Sequence, residues 1–383
     1  MRIVMFSNNY LPVISGVGTS ITLLRRGLLE AGHEVHLVVP EYDDFVDEEP
    51  YIFRMPALDL GDQLRVSLAI PLRAPIEVTM RGIKPHLIHC HHPIWLGEVA
   101  ATFSRDLQVP LVFTFHTRYD EYAEQYVPLL PDLAHTVMRE IVERYLERCT
   151  HVIAPTESIR DFIRQEYEVE APITVLPTPV DLAAYQDLAP APVRAKWGLE
   201  EAEVLLYVGR LAGEKNLDFL LRAFARIAEE RPGARLLLVG DGPAKGKLRK
   251  LAQKLDIESD VTFTGAVPHE KVPDYAAAAD LFVFASVTET QGLVLTEAMA
   301  AGTPVVAVEA PGSIDILTQG GGVLVEPQEQ AFSEAVLGLL SDEERLKAKG
   351  EEAFQIAQRY SVSAIAERLL AVYEAALETG PRW

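Results

Sequence analysis

The stretch Leu281–Pro304, LFVFASVTETQGLVLTEAMAAGTP, admits few architectures. It opens with an apolar run of strand length, Leu281–Ala285. A polar turn follows, and from about Gly292 the residues Leu293, Leu295, Ala298 and Met299 recur with roughly helical period. Gly302-Thr303-Pro304 then leads into the next strand at Val305-Val306. Strand, turn, helix and strand in so short a span are the repeating piece of an α/β sheet covered by helices. Two carboxylates stand eight positions apart, Glu289 in the turn and Glu297 inside the helix. Both fall at the carboxyl end of a strand, where open α/β sheets place ligands. Between them, Thr290-Gln291-Gly292-Leu293 offers backbone amides at a helix N-terminus, a ready site for phosphate, and Gly292 lets the phosphate approach closely.

A single Glu near a helix start is accounted for by the helix dipole alone. The E-x7-E spacing, the embedded glycine and the following A-x-x-x-G-T-P run are together more specific. They resemble the retaining glycosyltransferases of the two-domain GT-B fold, of the glycosyltransferase family 4 type. The resemblance implies that Glu289 contacts the donor sugar. It gives the amides of Gln291, Gly292 and Leu293 to the diphosphate and Glu297 to the ribose.

The same grammar runs through the whole chain. Arg2–Phe6 reads as a strand, followed by a loop from Ser7 to Thr19 containing Gly16-Val17-Gly18, a helix from about Ser20 to Ala31 stopped by Gly32, and a strand at Glu34–Val39. The dinucleotide spacing G-x-G-x-x-G is absent, and a turn that needs small residues explains the glycines equally well. By the resemblance, Gly16 and Gly18 close over the donor phosphates. Glu41–Pro50 reads as a solvated acidic loop. Leu87–Cys90 is a strand ending in His91-His92, and Leu111–Phe115 is a strand ending in His116. His89, His91 and His92 do not suit a metal, because alternating strand residues face opposite ways and no acidic ligand is adjacent. The resemblance brings His116 to the transferred sugar and makes His92, Arg118 and Tyr119 acceptor contacts. The phrases Tyr10-Leu11-Pro12-x-x-Ser15-Gly16-Val17 and His116-Thr-x-Tyr-x-x-Tyr122 are similar to bacterial diacylglycerol α-glucosyltransferases.

In the second half, Val204–Val208 feeds Gly209-Arg210-Leu211-Ala212-Gly213-Glu214-Lys215-Asn216, with Asn216 placed to cap the next helix. Arg210 offers a planar fork and Lys215 a mobile point charge at one strand end, a pairing suited to a diphosphate. Asp241-Gly242-Pro243 reads as a structural turn. By the resemblance, backbone groups around Val267 read the nucleotide base. The break at Pro177–Asp181 and the Pro-rich run Leu188–Val193 put a hinge between about Thr178 and Arg194. The expected domains are 1–180, completed by a returning helix in 361–383, and 181–360. The expected fold class is α/β: two doubly wound Rossmann-like domains facing a cleft.

A length of 383 residues agrees with two cores. The net charge of −21 argues against nucleic acid and against adhesion of the whole surface to anionic lipid. Two cysteines, Cys90 and Cys149, without zinc spacing suit reduced buried thiols, and the expected location is cytoplasmic. Gln63–Lys84 reads as a basic and apolar helix or helix pair, a candidate for peripheral contact with the inner face of the cytoplasmic membrane. By the resemblance, the expected activity is retaining transfer of a hexose, first glucose from UDP-glucose, to diacylglycerol. No cofactor or metal is expected, since Arg210, Lys215 and the helix N-terminus offset the diphosphate charge. The alternatives are the same transfer to a soluble sugar or sugar phosphate, a nucleotide-sugar epimerase, and a non-catalytic sugar-nucleotide sensor.

Overall fold

The computed structural model describes every residue except 14, 43–44, 60–66, 71–73, 120–130 and 383. The chain divides into two compact units, Met1–Pro179 with Val362–Trp383, and Val180–Ser361.

The first unit is built on a seven-stranded sheet. Its strands are β1 (Arg2–Phe6), β2 (Glu34–Pro40), β3 (Ile52–Met55), β6 (Leu87–Cys90), β7 (Leu111–Thr114), β8 (His151–Ala154) and β9 (Ile173–Val175). The order is β3-β2-β1-β6-β7-β8-β9, and every pair is parallel. Strands β1, β6, β7 and β8 are almost wholly buried, as a parallel sheet covered on both faces requires. Succession runs outward from β1 in one direction and from β6 in the other, so the topological switch lies between β1 and β6. The helix Val362–Thr379 belongs to this unit and packs on the helix Gly16–Glu30. The two backbones come so close at Gly27 that a Cβ there would lie 2.7 Å from the Ala366 Cβ. Ile365, Leu369, Val372, Tyr373 and Ala376, the apolar stripe legible in the sequence, all enter the core beside Ile3, Met5 and Leu24.

The second unit carries a six-stranded parallel sheet of order β12-β11-β10-β13-β14-β15. Its strands are β10 (Glu203–Val208), β11 (Ala234–Val239), β12 (Val261–Gly265), β13 (Leu281–Phe284), β14 (Val305–Val308) and β15 (Gly322–Val325). Here the switch lies between β10 and β13. Val180 and Ser361, the two ends of this unit, pair in an isolated parallel bridge.

Several local expectations are corrected. The first-unit helix begins at Gly16, not Ser20, because Ser15 is a true N-cap whose Oγ accepts from the Gly18 N–H at 3.0 Å. Gly16 and Gly18 therefore sit in a helical first turn and not in an open loop. The Pro-rich run after Leu188 is not irregular: Pro190–Trp197 is a helix with proline in its first turn, where no N–H is needed. The acidic loop is not merely solvated. Asp47 forks onto Arg54 at 2.6 and 2.9 Å, and Glu49 pairs with the buried Arg25. Within Gln63–Lys84, β5 (Ser67–Ala69) pairs antiparallel with β4 (Ala57–Asp59), and only Ala74–Ile83 is helical. Arg65 and Arg73 of that segment lie outside the described residues, while Arg81 is taken up by Glu77 one turn away at 2.7 Å.

Candidate active site

At the carboxyl edge of the second unit three glycine backbones interlock. The Gly209 N–H donates to the Val239 carbonyl at 2.9 Å, and the Gly240 N–H to the Gly265 carbonyl at 3.0 Å. A Cβ on Gly240 would lie 1.9 Å from the Gly209 carbonyl oxygen, at a φ of +140°. Only glycine fits there. This contact fixes the loop leaving β10. Buried Leu211 anchors it, donating its N–H to the Asp241 carbonyl at 3.0 Å. Gly242 presses on the same leucine, and Asp241 accepts from the Gly242 N–H and from Lys245, which holds its carboxyl below the usual range. This turn supports the loop, as its sequence suggests.

Arg210 leaves that loop with an exposed side chain. Lys215 ends a 3-10 turn, Gly213–Lys215, whose Glu214 carbonyl accepts from the Ser286 hydroxyl at 3.3 Å. Its ammonium donates to Glu289 Oε1. The two ends of β10 and β13 at the switch are thereby joined by an ion pair, about one fifth exposed at each partner. Asn216 does not cap the following helix through its side chain among the described residues. It contributes a left-handed backbone, φ +53°, and the helix starts at Leu217.

The turn carrying Glu289 rests on Gly312, where a Cβ would lie 3.0 Å from the Glu289 carbonyl oxygen and 3.2 Å from the Gln291 carbonyl carbon. Gln291 is buried. Gly292, at φ +71°, is the cap position of the helix Leu293–Ala300, and no side chain caps it. The dipole and the first-turn amides of that helix are the anion-binding features expected there. Glu297 lies partly buried in its second turn, and desolvation pushes its carboxyl up to about 7. Tyr185 stands close by. Burial, followed by the charges of Glu297 and Asp181, pushes its phenol up. Tyr207 lies under the site. Burial, then Glu289 and Glu214, push it up, and its hydroxyl donates to the Arg210 carbonyl at 3.2 Å. Val267 follows β12, half-buried against the core. Tyr185, Tyr207 and Gly312 escaped the sequence reading because each acts through tertiary neighbours and none belongs to a local pattern.

In the first unit the residues after β1, β6 and β7 meet at the switch. The Asn8 N–H donates to His92 Nδ1 at 3.2 Å. The Asn8 side chain donates to the Ile94 carbonyl at 3.0 Å and accepts from the Leu96 N–H at 3.1 Å. It thus clamps both peptides flanking Trp95, whose backbone sits at φ +52°, ψ −105°, strained for any residue with a side chain. His91 Nδ1 lies 2.9 Å from His116 Nε2. Desolvation brings His92 down to about 4 and His89 to about 3; it also carries His91 and His116 well below the ordinary imidazole value, with the neighbouring imidazoles adding to it. His89 is satisfied within the core by Tyr373 Oη and Thr114 Oγ1, both at 2.7 Å. Arg118 lies over the Phe162 ring at 3.8 Å, and Tyr119 is buried edge-on against Phe115. Tyr122 lies outside the described residues. Among the described residues no cluster of three or more His, Cys, Asp or Glu is arranged to hold a metal ion.

Two family models match the chain in succession. Residues 14–184 match the family model described as Glycosyltransferase Family 4, and residues 192–356 that described as Glycosyl transferases group 1. An alpha-monoglucosyldiacylglycerol synthase of Streptococcus pneumoniae is 32% identical over 314 residues, covering 80% of this chain and 71% of the relative. A D-inositol 3-phosphate glycosyltransferase of Segniliparus rotundus is 35% identical over 305 residues, covering 77% and 67%. Among solved structures, sucrose-phosphate synthase from Thermosynechococcus elongatus is similar in fold, with a TM-score of 0.78 at 22% identity over 97% of this chain and 98% of the other.

Proposed function

This chain belongs to the family 4 glycosyltransferases of GT-B fold, and on that premise we propose that it transfers glucose from UDP-glucose to diacylglycerol with retention of anomeric configuration and without a metal ion. The observation that carries the donor side is the joining of Lys215 to Glu289 at the switch of the second unit, with Arg210 on the same loop. In this reading Arg210, Lys215 and the first-turn amides of Leu293–Ala300 take the diphosphate. Electrostatic stabilisation of the departing nucleotide replaces a divalent cation. Glu289 takes the sugar hydroxyls, Glu297 the ribose, and the backbone at Val267 the base. On the first unit, the resemblance assigns His116 to the sugar, Gly16 and Gly18 to the phosphates, and His92 to the acceptor. With no enzymic nucleophile assigned, the acceptor attacks on the face the nucleotide leaves, and the leaving phosphate oxygen takes its proton.

Diacylglycerol as acceptor is supported by the 32% identity to a protein named for that lipid. Contact with the membrane is peripheral in this reading, since no helix among the described residues is long and apolar enough to cross one. Transfer to a soluble sugar phosphate is the second reading, supported by the relative named for inositol 3-phosphate and by the net charge of −21. One assay separates them. Purified protein in EDTA is given labelled UDP-glucose with diacylglycerol vesicles or with a pool of sugars and sugar phosphates. Label in the lipid phase with α linkage by NMR supports the proposal. Label only in a soluble product transfers it to the second reading. A β-linked product overturns retention.

A further inference from the structure

His91 and His116 share one hydrogen between His91 Nδ1 and His116 Nε2, 2.9 Å apart, with the rings stacked at 25° and 5.2 Å between centroids. Burial keeps both imidazoles neutral at working pH, so each carries one N–H and one lone pair. Two arrangements satisfy the contact. In one, His116 Nε2–H donates and His91 carries its own proton on Nε2. In the other, His91 Nδ1–H donates and His91 Nε2 is a bare lone pair. The structure separates them. His91 is fully buried, and its Nε2 has no hydrogen-bond partner among the described residues. The adjacent His89 ring, 4.2 Å away between centroids, offers no ring nitrogen, since both are bonded to Tyr373 and Thr114. A buried orphan N–H is rarer and costlier than an under-used acceptor.

We infer that His91 is a positioning residue that donates from Nδ1 to His116 Nε2 and so holds the His116 proton on Nδ1. The inference rests on the role given to His116 above and deepens it. With Nε2 occupied as an acceptor, His116 has no lone pair left to serve as a general base. The proton it carries, on Nδ1, can be donated but the ring cannot accept one, which suits a reaction whose proton goes to the leaving phosphate.

The test uses the full chain labelled with ¹⁵N-histidine, with the His116 signals identified by difference from His116→Gln. The expected spectrum shows the His116 proton on Nδ1 and a bare Nε2, with the reverse for His91 excluded. A His116 proton on Nε2 overturns the inference. Turnover is then read as UDP release from UDP-glucose with diacylglycerol vesicles. His91→Leu should lower kcat about tenfold with little change in donor KM, and move His116 toward the Nε2–H form. His91→Asn, whose amide nitrogen stands where Nδ1 donated, should recover most of both. Wild-type kcat in folded His91→Leu also overturns it. If His91→Leu does not fold, the wild-type spectrum decides alone. Full turnover in His116→Ala would remove the role of His116 itself while leaving the proton assignment to the spectrum.

Discussion

Lys215 and Glu289, 74 residues apart, hold each other in an ion pair across the topological switch of the second unit. Each partner is about one fifth exposed, so the cost of desolvating both charges offsets much of their attraction and the pair adds little to stability. In the proposed reading it places a cation and a carboxylate together before donor arrives. Glu289→Gln should therefore lower kcat by about 10² or more while the melting temperature stays nearly unchanged. Arg210→Ala combined with Lys215→Ala should raise donor KM and lower kcat together. Steady-state kinetics beside calorimetry checks both, and near-wild-type turnover in either variant removes these residues from the site.

The two units should respond to pH with opposite sign. Glu297 is raised to about 7 in the fold by desolvation, above the 4.5 of an ordinary carboxyl. Below about pH 4.5 it is protonated folded or unfolded and costs nothing. As pH rises toward 7 the unfolded chain releases its proton first, so the second unit loses up to about 3 kcal/mol, and the loss persists above pH 7. Glu297→Gln should accordingly stabilise the protein at pH 8 and not at pH 4. A gain independent of pH would contradict the burial of this carboxyl.

His89 and His92, depressed to about 3 and 4 by burial, act the other way. Above about pH 6.5 they are neutral in both states and contribute no pH dependence. Below it the unfolded chain binds protons first, and the first unit loses stability as pH falls toward 4. Calorimetry from pH 7 to 4 should show its transition falling, less steeply in His89→Gln.

Trp95 and Asn8 should be coupled. Loss of the Asn8 clamp in Asn8→Ala should cost about 1–3 kcal/mol. Trp95→Gly accepts the positive φ without strain, so the same Asn8→Ala change should cost less in that background. A double-mutant cycle by urea unfolding should return a coupling of about 1 kcal/mol. Strict additivity would mean the clamp does not hold the strained residue.

Gly240→Ala should be among the most damaging single methyl additions in the second unit. The new Cβ meets the Gly209 carbonyl oxygen at 1.9 Å, a backbone atom that cannot swing aside, and φ is +140°. The cost should exceed about 4 kcal/mol. Gly233→Ala, which meets nothing within 4 Å, is the control. Equal melting of the two variants would refute the interlock.

Much of this was legible in the sequence, for a reason that also marks where legibility stops. The buried parallel strands write themselves as continuous apolar runs, and the glycines and carboxylates at their ends stand in fixed spacing, so Arg210, Lys215, Glu289 and Glu297 could be named from local pattern. The helix start at Gly16 was hidden because one hydroxyl, on Ser15, turns a loop into a capped turn. Pro190–Trp197 was hidden because proline disrupts a helix everywhere but its first turn. Ser67–Ala69 takes its strand state from pairing with Ala57–Asp59, and the partners of Asp47 and Glu49 lie on other segments. The proton shared by His91 and His116 depends on two strands meeting, which no local spacing encodes.

The bridge between Val180 and Ser361 also bears on the order of synthesis. The second unit interrupts the first once, between Pro179 and Val362, as an insertion whose two ends are joined. Its residues are all synthesised before those of Val362–Thr379. Until that helix arrives, Gly27 and the apolar groove around Leu24 and Ile3 wait uncovered, and Tyr373 has not yet reached His89. The part of the chain made first is thus the part that finishes folding last, and a released chain ending at residue 361 should expose the first unit's core to chaperones while the second is already closed.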